Sequence, residues 1–205
     1  MTHTNDYIPP KNKGRKQLFE SGFLEMLTKT HIAMPLTFFP VTGLSVMAYG
    51  LYQGYLSLGL AIGLFLVGVL SFSLVEYLVH RFVFHMEPDT KLKQTITYKF
   101  HGVHHEYPKD KMRLAMPMVV SIFLTVVMFT VFWFLMGRYA FGFMPGFVVG
   151  YAAYLGVHYI VHAYRPPKNM FKTLWVHHGI HHYKHNDRAF GVSSPLWDYI
   201  FRTMP

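Results

Sequence analysis

The chain has 205 residues, enough for one domain and a short N-terminal tail. Apolar residues make up 52% and charged residues only 14%, against roughly 25% charged in an ordinary soluble protein, a deficit that points to lipid contact. There is no cysteine, which excludes disulfides and thiolate metal sites, and the net charge is +9. That charge fits nucleic acid or an anionic membrane surface, and the long apolar runs decide for the membrane and against nucleic acid.

Residues 1–30 are polar and basic, carrying Lys11, Lys13, Arg15 and Lys16, and lack the apolar centre of a cleavable signal peptide. They read as a polar tail followed by a short interfacial helix over 18–27 (LFESGFLEML). Residues 31–51 contain no Asp, Glu, Lys or Arg and are long enough to cross a bilayer. A second run, 55–80, is uncharged until Glu76 and ends on His80. The polar-aromatic turn between them makes the pair a transmembrane hairpin. Residues 81–113 form a basic hydrophilic loop. Residues 114–136 and 140–162 form a second hairpin around Gly137, Arg138 and Tyr139, with Pro145 close enough to the start of the last span to be tolerated. Residues 163–205 are again hydrophilic. The expected architecture is an all-α integral membrane domain over 31–205, with four transmembrane helices in two hairpins. Of the nineteen Lys and Arg residues, eighteen lie in the tail, the 81–113 loop or the C-terminal segment, and only Arg138 falls on the other side. The positive-inside rule makes those three segments and both termini cytoplasmic.

Fourteen histidines are present, and most are clustered. His80 and His85 flank HRFVFH. His101, His104 and His105 lie in HGVHH, and His158 and His162 flank HYIVH. WVHHGIHHYKH, residues 175–185, holds His177, His178, His181, His182 and His185. The topology brings every cluster to one membrane face. His158 and His162 are four apart and share a helix face, a ligand spacing. His80 and His85, five apart, would diverge by about 140° on a continuous α-helix, so the chain must bend after His80. In HGVHH and HGIHH the first and fourth positions match helical i,i+3 spacing, and the fifth extends the set. Ten imidazoles are too many for one ion; two ions with five or fewer nitrogens each would leave a position open for oxygen or water. His3 and His31 stand apart from these clusters and read as hydrogen-bonded core histidines. The four clusters, spread over segments with different spacers, read as a built cap rather than a low-complexity metal-binding tract.

At these residues the chain resembles the fatty acid hydroxylase superfamily, and most closely the fatty acid 2-hydroxylases that act on sphingolipid acyl chains. The matching stretches are EYLVHRFVFHMEP (76–88), FHGVHHEYPKD (100–110), HYIVH (158–162), HHGIHHYKH (177–185) and FGVSSPLWDYIFRT (190–203), in order and with family-like gaps. The resemblance implies a four-helix membrane bundle under a cytoplasmic histidine-rich dimetal cap. The catalytic, metal-holding set it implies is His80, His85, His101, His104, His105, His158, His162, His178, His181 and His182. His178 is chosen over His177 because it repeats the HX2HH spacing of residues 101–105; His177 and His185 are left to support the ligands. The implied chemistry is O2-dependent insertion of a hydroxyl at C2 of a fatty acyl chain, in ceramides or free fatty acids, by a pair of iron ions. Zinc satisfies the same nitrogens and competes for them on isolation, but has no redox chemistry.

Thirty N-terminal residues are too few for the cytochrome b5-like domain of many eukaryotic members. The resemblance therefore implies an external electron donor, cytochrome b5-like or ferredoxin-like, with a bacterial inner membrane favoured and the endoplasmic reticulum expected for a eukaryotic chain. Glu76, Glu87, Glu106, Asp187 and Asp198 are candidates to orient imidazole N–H groups, and Trp197 and Tyr199 read as membrane-interface anchors. Rival readings are a sterol-type oxidase or lipid desaturase of the same superfamily, and a metal transporter. A transporter's ligands should lie near the bilayer midplane rather than at one face.

Overall fold

The computed structural model describes residues 8–205; His3 and the first part of the tail lie outside the described residues. Helix α1 spans Gly22–Leu27 and α2 Ala33–Tyr52, followed by α3 Leu58–Val79, α4 Lys91–Thr97, α5 Val103–Glu106, α6 Met118–Met136, α7 Ala140–Ala163, α8 Lys172–Tyr183 and α9 Leu196–Ile200. No strand occurs among the described residues. Three continuous helical stretches are long and apolar enough to cross a membrane: 33–52, 58–84 and 118–163. The third is two helices joined by a 3-10 turn at Gly137–Tyr139. Gly137, with φ +55°, supplies the reversal, a conformation that an L side chain resists. The return is closed by Phe129 and Trp133 against Phe141, and by a hydroxyl hydrogen bond of 3.0 Å between Ser121 and Tyr151.

The expected interfacial helix over 18–27 is shorter than its apolar pattern. Ser21 Oγ caps the amide of Leu24, so the helix starts at Gly22. The amides of Leu18 and Phe19 donate to the Glu25 carboxylate instead (2.9 and 3.3 Å). His31 is not in the core; it is exposed, with Nδ1 accepting from the Ala33 amide at the start of α2.

Helix α7 is the centre of the bundle. Its crossing with α3 is set by glycines on both sides. A Cβ at Gly146 would lie 1.9 Å from the Phe65 carbonyl oxygen, and one at Gly68 would lie 2.1 Å from that of Phe143. Phe39, Phe72, Phe143, Met144, Phe147, Val148 and Ala152 fill the resulting core. The outward face of α6 remains apolar and exposed at Phe123, Val126, Phe134 and Leu135, the pattern of a lipid-facing helix.

Two of the four histidine segments depart from regular α-helix, whereas α7 and α8 carry theirs on regular helix. From His80 to Phe84 the chain widens into a π turn, closed by the His85 amide on the His80 carbonyl (3.2 Å). The i→i+5 geometry brings residue 85 back under residue 80, which is the bend their spacing requires. A second π turn, Tyr98–Gly102, leads into α5.

Candidate metal centre

Ten imidazoles converge at the end of the bundle opposite Gly137, in two groups. His80, His85, His101, His105 and His181 form the first, here group A; His104, His158, His162, His178 and His182 form the second, group B. Within each group the ligating nitrogens all lie within 4.8 Å of one another. The groups adjoin, with the rings of His105 and His182 stacked at 4.3 Å between centroids. These are the ten residues singled out from the sequence, with His178 rather than His177 in the cluster.

The two HX2HH motifs divide in complementary ways. Helix α5 and the turn before it send His101 and His105 to group A and His104 to group B, whereas α8 sends His178 and His182 to group B and His181 to group A. The i,i+4 pair of each motif shares one face, and the residue between points to the neighbouring group. Both short helices therefore tie the two groups together.

The nitrogens face one another at the separation a shared cation requires. In group A the Nε2 atoms of His80 and His101, His101 and His105, and His85 and His181 approach to 3.0, 3.0 and 3.1 Å. In group B the approaches are 2.9 Å (His104–His158), 3.1 Å (His104–His182), 2.8 Å (His162–His178) and 3.1 Å (His178–His182). Two nitrogens at a right angle, each about 2.1 Å from a metal ion, are about 3.0 Å apart. Hydrogen bonding does not account for these contacts throughout. The Nδ1–H of His80 donates to the Phe190 carbonyl (2.5 Å), that of His158 to Leu114 (3.0 Å) and that of His181 to Arg188 (2.7 Å). Those bonds fix the tautomer and turn an Nε2 lone pair inward in each ring. Burial, reinforced by neighbouring imidazoles, holds His85, His101, His104, His105, His178, His181 and His182 well below the ordinary histidine pKa. All seven are neutral near pH 7, as nitrogen ligands must be. The donor set fits two borderline or transition-metal ions.

Among the described residues, none of the five carboxylates bonds a ring of either group directly. Glu76 accepts from the amides of Val192 (2.8 Å) and Ser193 (2.9 Å) and from the Ser193 hydroxyl. Glu106 takes Lys11 and Tyr98, and Glu87 and Asp187 are exposed. Asp198 accepts from His177 Nε2–H (3.0 Å), from the amides of Phe190 and Gly191 (2.9 and 2.7 Å) and from the Thr203 hydroxyl (2.7 Å). Burial pushes its carboxyl up, but those donors outweigh the burial and hold it below the usual range. His177 is thus a strut between α8 and the C-terminal segment. His185 is partly buried at the end of α8, outside both groups. Backbone carbonyls take the orienting role assigned to carboxylates, and no side-chain pattern signals a carbonyl. Trp197 is more than an interface anchor, since its indole N–H donates to Ser73 Oγ (3.0 Å) and pins α9 to α3; Tyr199 is exposed. A cleft of about 270 Å3, walled by Ile8, Phe84, Met86, Pro88 and Tyr98, opens onto His85, His101 and His105 of group A.

Comparison with known proteins gives the same picture. A dihydroceramide fatty acyl 2-hydroxylase of Arabidopsis thaliana is 34% identical over 193 residues, covering 92% of this chain and 80% of the relative. A ceramide very long chain fatty acid hydroxylase of Schizosaccharomyces pombe is 34% identical over 200 residues, covering 94% and 56%. A fatty acid 2-hydroxylase of Homo sapiens is 37% identical over 146 residues, covering 69% and 39%. This chain therefore spans most of the plant relative but about half or less of the yeast and human ones. The solved structure of full-length scs7p, in which only the hydroxylase domain is visible, superposes with a TM-score of 0.86 at 32% identity, over 94% of this chain and 73% of that one. The family model for fatty acid hydroxylases matches residues 65–203, from the middle of α3 to the segment that closes over the histidines. On that match and those identities, the chain belongs to the fatty acid hydroxylase family.

Proposed function

We propose that this chain is a membrane fatty acyl 2-hydroxylase whose ten clustered histidines are its metal ligands. The observation that carries the reading is the pairing of two five-imidazole groups, side by side, at coordination-edge spacing. Breaking an unactivated C–H bond is beyond side-chain chemistry, so a redox-active metal pair, iron in the working enzyme, would supply activation of O2 and insertion of the hydroxyl. The protein's share is to present neutral nitrogens, exclude bulk water and bring C2 of the acyl chain to the pair. Five nitrogens in each group would hold an ion while leaving it open to oxygen or water. Zinc would occupy the same nitrogens and leave the protein inert.

The substrate class rests on the relatives, whose names specify dihydroceramide, ceramide and fatty acid; the acyl chain would come from the bilayer, with its polar end at the interface. The electron donor would be a separate cytochrome b5-like or ferredoxin-like protein. The bundle would cross the membrane four times, with Arg138 on the far side and the histidine cap in the cytoplasm. Ligands gathered at one end of the bundle favour this over a transporter. The test is expression in a host lacking 2-hydroxylated lipids, with acyl chains analysed by mass spectrometry beside a His178→Ala, His182→Ala double variant. The expected result is one oxygen added at C2, absent in the double variant. Oxygen or unsaturation elsewhere would move the function to an oxidase or desaturase of the same superfamily.

A further inference from the structure

Three Nδ1 atoms of the two groups bond backbone carbonyls, and these carbonyls belong to different parts of the chain. In group A, His80 and His181 donate to the carbonyls of Phe190 and Arg188, both in the loop after α8. Two buried carboxylates fix that loop: Asp198 holds the amides of Phe190 and Gly191, and Glu76 on α3 holds those of Val192 and Ser193. In group B, His158 donates to Leu114, in the segment before α6. That segment is held from the N-terminal side. Arg113 pairs with Glu25 of α1, while Thr30 donates through its amide to Met112 (2.8 Å) and through its hydroxyl to Met116 (3.2 Å). No described side chain bonds both braces.

We infer that Glu76 and Asp198 are positioning residues for the group A ion, and that the Glu25–Arg113 pair positions the group B ion, so that each ion can be loosened separately. The inference rests on the dimetal reading above. A ring whose Nδ1–H loses its carbonyl can rotate and tautomerise, which turns its Nε2 lone pair away from the ion. Such losses weaken metal binding by about ten- to a hundredfold. Glu76 offers a control. A glutamine there can keep one oxygen for the amides of Val192 and Ser193 and turn its NH2 to the Ser193 hydroxyl, so Glu76→Gln preserves the brace that Glu76→Ala removes.

The experiment loads the full chain in detergent with Zn(II), counts ions per chain, and follows their release to a competing chelator. Wild type should hold two. Glu76→Ala should release one ion at least tenfold faster and leave the other unchanged, Glu76→Gln should match wild type, and Arg113→Ala should accelerate the other ion. Non-additivity assigns each phase: Glu76→Ala adds nothing to His181→Ala, which disables the same group, and adds its full effect to His178→Ala. Should Glu76→Ala fail to fold, Ser193→Ala removes one bond of the same brace and is read in the same way. Equal acceleration of both ions by Glu76→Ala, or of neither, overturns the inference while leaving two bound ions intact. A wild-type chain that never holds two ions overturns the dimetal reading itself.

Discussion

Each of the ten clustered imidazoles turns its Nε2 toward a neighbouring ring, and what that nitrogen meets decides what a histidine of the cap can do. His177 and His178 show this at adjacent positions on α8. His178 turns its Nε2 to His162 and His182, at 2.8 and 3.1 Å, whereas His177 directs its Nε2–H to Asp198. His178→Ala removes a proposed ligand and should therefore weaken one of two bound ions by more than the roughly ten- to hundredfold that losing a ligand's hydrogen-bond partner costs. His177→Ala should keep both ions and cost about 1–3 kcal/mol of stability, from a buried carboxylate left without one donor. Metal counts and thermal melts of the two variants separate these outcomes. The same rings set a pH limit. Burial depresses the pKa values of His101, His104, His105, His178, His181 and His182 well below the ordinary histidine value of about 6.5, so below that pH an unfolded chain binds protons that the folded cap excludes. By linkage, the stabilisation is fully present above about pH 6.5 and falls as pH drops through it. Bound metal acts in the same direction, because protons compete for its nitrogens. Ion content and melting temperature should be level from about pH 8 to 7 and fall below about 6.5; a profile flat to pH 5 would contradict the neutral-imidazole cap.

Among the elements, the α3–α7 crossing carries the clearest steric demand. The backbones approach so closely at Gly68 and Gly146 that a methyl group on either would meet a carbonyl oxygen. Gly146→Ala should force the helices apart, costing at least about 1–3 kcal/mol, the scale of overpacking. Gly63→Ala, whose added Cβ meets nothing within 4 Å, serves as the neutral control. Size-exclusion profiles and melts in detergent report the difference. The long helices were legible in the sequence because a lipid-facing helix is apolar all round, and uncharged length is then a sufficient signal. Boundaries moved with the capping residue, as when the Ser21 hydroxyl, accepting the Leu24 amide, started α1 late and Pro117 at the N-cap set the start of α6 at Met118. The need for a bend after His80 was also legible, from spacing alone. The division of the ten rings was not. It depends on the α5 and α8 faces meeting in space, which neither HX2HH motif encodes by itself. Still less visible were the carbonyls of Leu114, Arg188 and Phe190, since every residue has one. Glu76, in EYLVHRFVFHMEP, and Asp198, in FGVSSPLWDYIFRT, stood out in the sequence as candidates to orient imidazole N–H groups, but the clamp they form on the loop after α8 was not legible. Each of those carboxylates bonds backbone amides rather than a ligand ring.

At the scale of the whole molecule, charge and histidines lie at the same end. Arg138 sits in the turn between α6 and α7, at the end of α7 away from His158 and His162; the other eighteen Lys and Arg residues lie in segments joined to the cap or at the cap end of α3. This asymmetry is what supports the proposal of a cytoplasmic cap, since translocating a cluster of cations is resisted while one arginine is tolerated. These 205 residues include no cysteine, so single thiols can be introduced on a silent background. Arg138→Cys places one at the exposed link between α6 and α7, and Lys168→Cys places one in the exposed segment between α7 and α8. In sealed spheroplasts, a membrane-impermeant maleimide should label Arg138→Cys from outside and reach Lys168→Cys only after the membrane is opened. The reverse pattern would invert the molecule and remove the cap from the compartment that supplies soluble reductant. Labelling of both thiols from outside would mean that α6 and α7 do not cross as a pair. The expected pattern would leave the cap where a cytoplasmic electron donor can reach it, with acyl chains arriving along the lipid-facing helices.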